Sequence, residues 1–514
     1  MASDPDRPDL PALSRRELLA AAAAAGCAPG EILVGAEGGA PSGTGWLDTG
    51  WRDTGASGPS DTAGGGITSP GPSTRPTSAR RPNVLLLFPD QWRGQAMGHV
   101  GDRNALTPVV DALAAESVAF TEAVTNSAVC TPARSLLLTG VMPWVHGMDE
   151  NGARLRDGVP TLGTTLRSAG YRCGWIGKWH LEGHGSTGYV PPGRRFGFDD
   201  AWAANNFHHR YLAPELFFDS PVPVRRDDVW QPVWETDLAI EAIDAASQGG
   251  QPWFLTVSWG APHPNLHSPA DWRLDMPDDL MDVIDPSALA FRDNVPRDIL
   301  EPWERDPWGV RGFLHGYYAA IRAMDAQVGR LLDHLETAGL ADDTLVVFTS
   351  DHGEMGGSHG LYKKGIFFDE ALLVPLLFRW PGGFGGGRRY RAGASLLDLA
   401  PTLMRLCTDF DLDDHELHGR DLTPWLTGEA PDDPQQVSFI SRKASGALAW
   451  RGVRTATHKL VTLLDGREVL FDRVADPYEM ADALDDGMHA VTLGRLRDQL
   501  AQWRERTFDP SVGA

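Results

Sequence analysis

Cysteine, positive charge and long apolar runs are all scarce in this 514-residue chain. Four cysteines are too few to build a scaffold held together by disulfide bonds. The chain has 46 Lys and Arg against 69 Asp and Glu, and its net charge of −23 argues against binding of nucleic acid or an anionic membrane through the overall field. No stretch approaches the ~20 apolar residues of a membrane-spanning helix, which excludes an integral membrane protein. The length also excludes one simple core, because chains above roughly 250–300 residues usually divide into domains.

The first 80 residues differ in composition from the rest. Residues 1–27 are predicted to be an export signal, because Arg15-Arg16 precedes a short alanine-rich run that ends at Gly26-Cys27. An ordinary alanine-rich helix is the alternative. The residues before Cys27 also resemble a lipoprotein processing site. Residues 28–80 are rich in Gly, Ser, Thr and Pro and are predicted to be a disordered linker. We therefore expect an exported protein, periplasmic or on the cell surface, whose membrane contact is a lipid anchor at Cys27.

Strands and helices are predicted to alternate after residue 81. The apolar run at 83–88 lies between two prolines, as is typical of a strand buried on both faces. Thr107-Pro108 predicts a helix start with Thr107 as its N-cap. Alternating strands and helices indicate an α/β fold with a doubly wound, mostly parallel sheet. Further strands are predicted at 171–176, 253–259 and 344–349, and further helices at 161–170 and 312–338.

Polar side chains follow each of the four predicted strands. Because ligands of open α/β sheets bind at the carboxyl ends of the strands, these side chains are expected to converge on one site. Any one of these side chains alone would be interpreted as an ordinary surface group. The side chains are Asp90 after the first strand, Lys178 and His180 after the second, His263 after the third, and Asp351 and His352 after the fourth.

The most specific motif is Cys130-Thr131-Pro132-Ala133-Arg134, followed by Thr139-Gly140. A lone cysteine is usually a small buried hydrophobic residue. This one is predicted to lie at a helix N-terminus, where the helix dipole favours an anion.

This motif resembles the activation signature of the sulfatase family, Cys-x-Pro-Ser/Ala-Arg and then Thr-Gly. The resemblance extends over nearly all of residues 82–510, and it implies an alkaline-phosphatase-like catalytic domain at 81–428. It also implies a small C-terminal α+β domain with an antiparallel sheet at 429–514. The other matching motifs are Gly177-Lys178-Trp179-His180, Pro262-His263-Pro264, Ser350-Asp351-His352-Gly353 and Lys364-Gly365.

The resemblance implies a metal site. Most sulfatases use Ca²⁺, and hard oxygen ligands suit that ion or Mg²⁺. Because one of the ligands is an imidazole, Mn²⁺ and Zn²⁺ are alternative ions for this site. Two positions depart from the common pattern: Gln91 stands where many relatives have Asp, and His352 where many have Asn. The ligands implied are Asp90, Gln91, Cys130, Asp351 and His352.

The resemblance also implies a mechanism and a partner. A formylglycine-generating enzyme would oxidise Cys130 to an aldehyde, which is hydrated in the active site. One hydroxyl would attack sulfur with Asp351 taking its proton, and His263 would protonate the leaving alcohol. His180 would then help the second hydroxyl to expel sulfate. The catalytic residues implied are Cys130, Arg134, Lys178, His180, His263 and Lys364, and the substrate contacts are Asn151, Lys178, His263 and Lys364.

Several alternatives stay open at this point. A phosphodiester or phosphonate monoester hydrolase with the same nucleophile would carry the same motifs, and some such relatives have Gln and His at the positions of Gln91 and His352. A non-catalytic surface protein is less consistent, because none of the key residues is lost. The substrate is expected to be a sulfated small molecule or glycan. The loop at 205–210 would either line the pocket or lie in solvent, and pairing of Cys173 with Cys407 is undecided.

Overall fold

The structure is a computed structural model, and it describes residues 81–510 apart from 184–187, 265–276, 282–283, 298–299, 301–308, 392, 413–415, 431–437, 443–449 and 464. The predicted export signal, the linker and Cys27 lie outside the described residues. No helix in the described part of the chain is both long enough and apolar enough to cross a membrane.

Fourteen strands and ten α-helices are described. The strands are β1 (Asn83–Leu87), β2 (Val118–Phe120), β3 (Arg172–Lys178), β4 (Ala201–Asn205), β5 (Glu215–Leu216), β6 (Val224–Arg225), β7 (Trp253–Ser258), β8 (Thr344–Thr349), β9 (Leu376–Arg379), β10 (Arg388–Tyr390), β11 (Ser438–Arg442), β12 (Trp450–Arg454), β13 (His458–Leu463) and β14 (Glu468–Asp472). The helices are α1 (Pro108–Glu116), α2 (Cys130–Thr139), α3 (Leu162–Ser168), α4 (Gln231–Ser247), α5 (Asp278–Met281), α6 (Val310–Thr337), α7 (Asp369–Leu372), α8 (Leu399–Cys407), α9 (Thr423–Thr427) and α10 (Ala490–Arg506).

The main sheet has eight strands in the order β10-β2-β9-β8-β1-β7-β3-β4. Of these, β9 runs antiparallel to its neighbours β2 and β8, and the remaining described pairs are parallel. Strand β1 lies at the centre, where Leu85 pairs with Leu255 of β7 and Val346 of β8. A strand with parallel neighbours on both sides must be apolar on both faces, which is why β1 reads as an unbroken apolar run.

The sheet separates two hydrophobic cores, and β1 contributes to both. Val84 and Leu86 belong to the core that also contains α2, α3, α8 and α10, whereas Leu85 and Leu87 face α1, α4 and α6. Successive strand residues point to opposite faces, so this alternation follows from the strand geometry. The predicted α/β fold, with helices on both faces of a mostly parallel sheet, is confirmed.

The four predicted strands are present, with starts within one residue of the prediction. Strand β3 continues to Lys178, two residues beyond the predicted end. The predicted start of α1 is confirmed, with Thr107 at the N-cap position and Pro108 at the first helical position, but the Thr107 side chain makes no capping hydrogen bond. The Thr107 hydroxyl accepts the Gly98 amide instead of capping the helix. The carboxylate of Asp325 on α6 accepts the first amides of α1, those of Val109 and Val110, at 3.2 and 2.8 Å. A long-range contact of this kind has no local signal.

The C-terminal part contains a four-stranded antiparallel sheet in the order β11-β12-β13-β14, which α10 covers. This matches the predicted small α+β unit, and the exact boundary at 428/429 remains a prediction. A buried charge network joins the sheet to α7. The carboxylate of Asp369 accepts Arg454 at 3.0 and 2.9 Å and Lys459 at 2.7 Å. Arg473 also binds it, at 3.1 Å, and the same guanidinium reaches Glu122 at 2.6 Å. We call these residues, with Glu479 bound to Lys459, the interface network.

Candidate active site

The polar side chains predicted at four strand ends do converge. Asp90 follows β1 and its Oδ2 atom pairs with the ammonium of Lys178 at the end of β3. Asp351 and His352 follow β8, and the His352 Nε2 atom lies 3.8 Å from Asp90 Oδ1 and 3.7 Å from Asp351 Oδ1. Each of these side chains is buried. The carboxyl ends of three separate strands therefore deliver their charged groups to one buried point.

Arg134 on α2 connects these strand ends. Its guanidinium donates to Asp351 Oδ2 at 3.2 Å and to Asp90 Oδ2 at 3.2 Å. It also donates to the Lys178 carbonyl at 2.9 Å and to the Ser258 hydroxyl at the end of β7 at 2.8 Å. Burial alone would lower the pKa of Arg134, but Asp351 and Asp90 outweigh burial and raise it. One fixed cation thus orients groups from β1, β3, β7 and β8.

Cys130 is the first residue of α2 and is only 1% exposed. Its Sγ atom lies 3.1 Å from His352 Nε2 and 3.9 Å from Asp90 Oδ1. Burial and the Asp90 carboxylate would raise the pKa of the thiol, yet Lys178, Lys364 and His352 together lower it. The cationic surroundings therefore favour negative charge at this position, as the helix N-terminus also does.

The donor set fits a divalent cation. Asp90, Cys130, Asp351 and His352 each place one candidate ligand atom within 4.8 Å of the others. His352 Nδ1 lies 3.0 Å from the Gly353 carbonyl, so this nitrogen carries a proton and Nε2 is the ring atom that faces the cluster. Burial would raise the pKa of Asp90, but the Lys178 ammonium and the Arg134 guanidinium hold it well below its usual range. An ionised carboxylate is what such an ion requires.

Gln91 lies beside this cluster with an unusual backbone conformation, a φ of 66°. Its side-chain amide nitrogen donates to Glu354 Oε2, and its side-chain oxygen accepts the Lys364 ammonium at 2.5 Å. Glu354 also accepts the backbone amides of Gly356 and Lys363. Sequence reasoning missed the role of Glu354, although it ends the Asp351-His352-Gly353-Glu354 motif. Its buried carboxylate orients the Gln91 amide and so turns the oxygen toward Lys364.

Lys364 and His263 form a second polar unit. The Lys364 Nζ atom lies 2.8 Å from His263 Nε2, and His263 Nδ1 lies 2.8 Å from the Pro264 carbonyl. A carbonyl can only accept, so Nδ1 carries a proton and Nε2 accepts from the lysine. Burial, His209 and Lys364 hold the pKa of His263 well below its usual range. His263 is therefore neutral and poised beside an ammonium group.

Two predicted site residues are less tightly integrated. The ring of His180 is buried and stacks on Phe207 with centroids 4.5 Å apart, and its Nδ1 atom has no hydrogen-bond partner among the described residues. Asn151 is exposed, and its Oδ1 atom accepts the Thr131 amide at 3.0 Å. Asn151 thereby caps the N-terminus of α2 next to Cys130. Their predicted roles in release of sulfate and in substrate contact remain predictions.

The loop at 205–210 lies against the site, in agreement with one of its two interpretations. Phe207 lies 5.3 Å from the Lys178 ammonium and is 45% exposed. His209 stacks on His263 at 3.8 Å with nearly parallel rings, and the Tyr211 hydroxyl donates to the His263 carbonyl at 2.8 Å. His209 belongs to the loop that the sequence singled out, whereas sequence reasoning did not identify Tyr211, which follows that loop.

The remaining cysteines of the described chain take no part in this site. Cys173 and Cys407 are both buried and do not form a disulfide bond with each other. Burial raises the pKa of Cys173 well above its usual value, which makes the thiol unreactive.

Fold and site together define an alkaline-phosphatase-like hydrolase. The family model named Sulfatase matches residues 82–409, and the model of the C-terminal region of N-sulphoglucosamine sulphohydrolase matches residues 357–506. The chain belongs to the sulfatase family and is a sulfuric ester hydrolase.

Curated relatives agree with this assignment. An ulvan-active sulfatase of Formosa agariphila is 32% identical over 412 residues, which cover 79% of this chain and 77% of the relative. A choline-sulfatase of Rhizobium meliloti is 28% identical and covers 84% of this chain and 89% of the relative.

Solved structures agree as well. A Bacteroides fragilis protein described as a sulfatase superimposes with a TM-score of 0.75 at 27% identity, covering 87% of this chain and 99% of that structure. The phosphonate monoester hydrolase of Agrobacterium radiobacter matches with a TM-score of 0.63 at 26% identity, covering 83% and 96%.

Proposed function

We propose that the enzyme hydrolyses its sulfate ester with a bound divalent cation and with Cys130 converted to formylglycine by a maturating enzyme. The observation that carries this proposal is the position of Cys130, at a helix N-terminus and within 4.8 Å of three further buried ligand atoms. A catalytic nucleophile needs to lie this close to the group that activates it. A merely structural cysteine, such as Cys173, lies in an apolar strand instead.

Asp90, Asp351 and His352 would hold the cation, for which Ca²⁺ is the proposed identity and Mg²⁺, Mn²⁺ and Zn²⁺ are alternatives. When bound, the ion polarises a sulfate oxygen and lowers the pKa of the nucleophile. Arg134 holds both carboxylates in place through their Oδ2 atoms. Gln91, the remaining predicted ligand, presents its oxygen to Lys364 at 2.5 Å.

The other charged residues would bind the ester and manage protons. Lys178 and Lys364 are placed to neutralise a sulfate ester that enters an otherwise acidic protein. Hydrated, the formylglycine at Cys130 offers one hydroxyl to attack sulfur and a second to expel sulfate. Because His263 is neutral and its Nε2 atom accepts from Lys364, the proton for the leaving oxygen would come from the Lys364 ammonium, which His263 holds at 2.8 Å. We therefore assign His263 and Lys364 as one acid unit.

The decisive experiment is mass spectrometry of the peptide that contains Cys130, taken from active enzyme. We expect the mass of the aldehyde or its hydrate. An unmodified thiol in fully active enzyme would contradict the proposal. Cys130→Ser should accumulate a trapped sulfate ester, because a single hydroxyl can attack sulfur but cannot then expel sulfate.

Phosphonate monoester or phosphodiester hydrolysis is the second candidate activity. Two observations favour it: the pair Gln91 and His352, and the structural match to a phosphonate monoester hydrolase. Both substrate classes are tetrahedral monoanions that the same cations would bind. Hydrolysis of matched aryl sulfate and aryl phosphonate esters by the matured enzyme decides between them. The primary proposal requires a higher kcat/KM for the sulfate.

We propose a sulfated substrate, either a glycan or a small molecule. The half-exposed ring of Phe207 lies over Lys178 and offers a stacking surface at the entrance of the site. The relatives include an ulvan-active sulfatase and a choline-sulfatase, so they support both a glycan and a small molecule.

We also propose export through the Arg15-Arg16 leader and anchoring through Cys27. Replacing both arginines with lysine should keep the protein in the cytoplasm, because a receptor reads this signal. Cys27→Ala should release the enzyme from membranes. A chain that starts near residue 78 should keep full activity, and loss of activity in folded protein would reveal a functional element in the first 80 residues.

A further inference from the structure

Among the described residues, one other group of three metal-ligating side chains lies outside the active site: His458, Asp472 and His489. Each places one donor atom within 4.8 Å of the other two. His458 opens β13, Asp472 closes β14, and the two are directly paired across the strands. His489 ends a short 3₁₀ turn, Gly487–His489, and immediately precedes α10. Three separate elements of the C-terminal sheet unit thus meet at this group.

The two imidazoles have the spacing of shared ligands. His458 Nε2 lies 3.0 Å from His489 Nδ1. Two nitrogens bound to one zinc ion at about 2.0 Å in tetrahedral geometry lie roughly 3.3 Å apart. The other ring nitrogen of His458 lies 2.9 Å from the Thr457 hydroxyl, which holds the ring in this orientation. A hydrogen bond to the outer nitrogen is the usual support of a metal-binding histidine.

The carboxylates complete a donor set. Asp472 Oδ1 accepts the amides of Val474 and Ala475, which fixes the side chain. Its Oδ2 atom lies 3.8 Å from the far nitrogen of the His489 ring, Nε2, and Asp472 offers a donor atom within 4.8 Å of one nitrogen on each imidazole. Asp486 Oδ2 lies 4.0 Å from the same nitrogen. The side chains of His489 and Asp472 are 13% and 23% exposed, so an ion and its water can enter from solvent.

We propose that His458, Asp472 and His489 bind a divalent transition-metal ion, with water as the remaining ligand. Two imidazoles and one carboxylate suit Zn²⁺ better than Ca²⁺ or Mg²⁺, which prefer oxygen ligands. The ion ties the start of α10 to the edge formed by β13 and β14. This site is separate from the active site and its role is to stabilise the C-terminal unit, independently of the proposed catalysis.

The test uses the full chain without a histidine tag, stripped with a chelator and then equilibrated with ZnCl₂. We expect the double variant His458→Gln with His489→Gln to bind one zinc equivalent fewer than wild type by elemental analysis. Zinc should raise the Tm of the wild type by about 2–4 °C more than it raises the Tm of the double variant. The kcat of both should agree, because neither histidine contacts the active-site residues.

Two controls sharpen the result. His334→Gln removes a comparably exposed histidine that pairs with Asp244, and it should bind as much zinc as wild type. Asp472→Asn keeps the amide contacts through its oxygen and should weaken zinc binding at this site by at least about tenfold. It also serves if the double variant fails to fold. Equal zinc content and equal Tm response in wild type, the double variant and Asp472→Asn would overturn the proposal.

Discussion

Two buried charge networks in this enzyme use the same residue types but differ in how completely they are satisfied. In the interface network, Asp369 accepts two arginines and one lysine, so its oxygens are fully used. In the active site, Asp90 Oδ2 is held by Lys178 and Arg134, whereas Oδ1 faces Cys130 and His352. Both networks are buried, so burial alone does not distinguish function from structure.

The difference shows what each network is for. A buried charge that is fully paired fixes how two parts of a fold pack together, and removing one partner is then strongly destabilising. Buried ligand atoms that converge on one point are arranged to bind or to react there. The interface network is therefore expected to control stability, and the active-site network is expected to control turnover.

The largest expected effect is that of Cys130→Ala. Loss of the nucleophile should lower kcat/KM by at least about 10⁴-fold, while the Tm changes little because the residue is small. Steady-state kinetics and a thermal melt measure the two effects. Cys173→Ala is the matched control, since it removes a buried thiol outside the site and should keep the rate. Equal loss of rate in both variants would contradict the placement of Cys130 inside the active site and of Cys173 outside it.

Arg454→Met tests the opposite network. The substitution leaves Asp369 and Glu122 with one cation fewer in a buried environment. We expect the free energy of unfolding to fall by about 3–5 kcal/mol, measured by denaturant titration, with kcat of the folded fraction unchanged. A variant as stable as wild type but with a reduced kcat would reverse the assignment of the two networks.

Lys364→Met and Lys459→Met place the same substitution in the active site and in the interface network. Lys364 contacts His263 and Gln91 in the active site, whereas Lys459 contacts Asp369 and the Phe367 carbonyl in the interface network. The first should lower kcat/KM by about 10²–10³-fold with little change in Tm. The second should lower the Tm and keep kcat. If both substitutions act only on Tm, Lys364 is structural.

Glu235→Gln examines a buried carboxyl that lacks a cation among the described residues. Its Oε1 atom accepts the Gln231 amide at 2.6 Å, and its Oε2 atom has no hydrogen-bond partner in the described part of the chain. Burial raises the pKa of Glu235 to about 8. Because the folded pKa exceeds the unfolded one, its contribution to stability is present below about pH 4.5 and is lost as the pH rises toward 8.

Glu235→Gln should therefore remove a pH-dependent loss of roughly 1 kcal/mol per pH unit between about pH 5 and pH 8. Unfolding of wild type and variant at both pH values measures it. The same pH dependence in the two proteins would mean that another group is responsible. A difference between the two proteins would show that the Glu235 carboxyl is kept neutral by its own proton. The carboxylates of the two networks are instead neutralised by neighbouring cations.

The sequence predicted those parts of the site whose signals are local. Strands end in polar residues, so the amino-acid pattern by itself placed Asp90, Lys178 and Asp351 at one edge of the sheet. The motif around Cys130 added the proposed nucleophile and Arg134. These predictions rest on strand periodicity and on residue types at fixed spacing, and the chain reaches the predicted arrangement because its central strands are apolar on both faces.

The contacts that the sequence did not reveal are long-range. Glu354 orients Gln91 across 263 residues, and Asp325 caps α1 across 215 and 216 residues. The stacking of His209 on His263 depends on how the loop after β4 folds back over the sheet edge. Such pairings follow from tertiary packing, and neither partner carries a local pattern that names the other.

Arg134 binds groups at the ends of β1, β3, β7 and β8, whereas Phe207 and His209 come from the loop that follows β4. The charged groups of the active site are thus fixed to the strands of the main sheet. The surface that would meet the alcohol part of the ester lies on the short loop after β4. Substitutions in that loop can therefore change the surface that meets the alcohol, while the groups held by Arg134 keep their positions. Substitution of Phe207, with His209 and its stack on His263 retained, should change which ester is preferred more than it changes how the ester is cleaved.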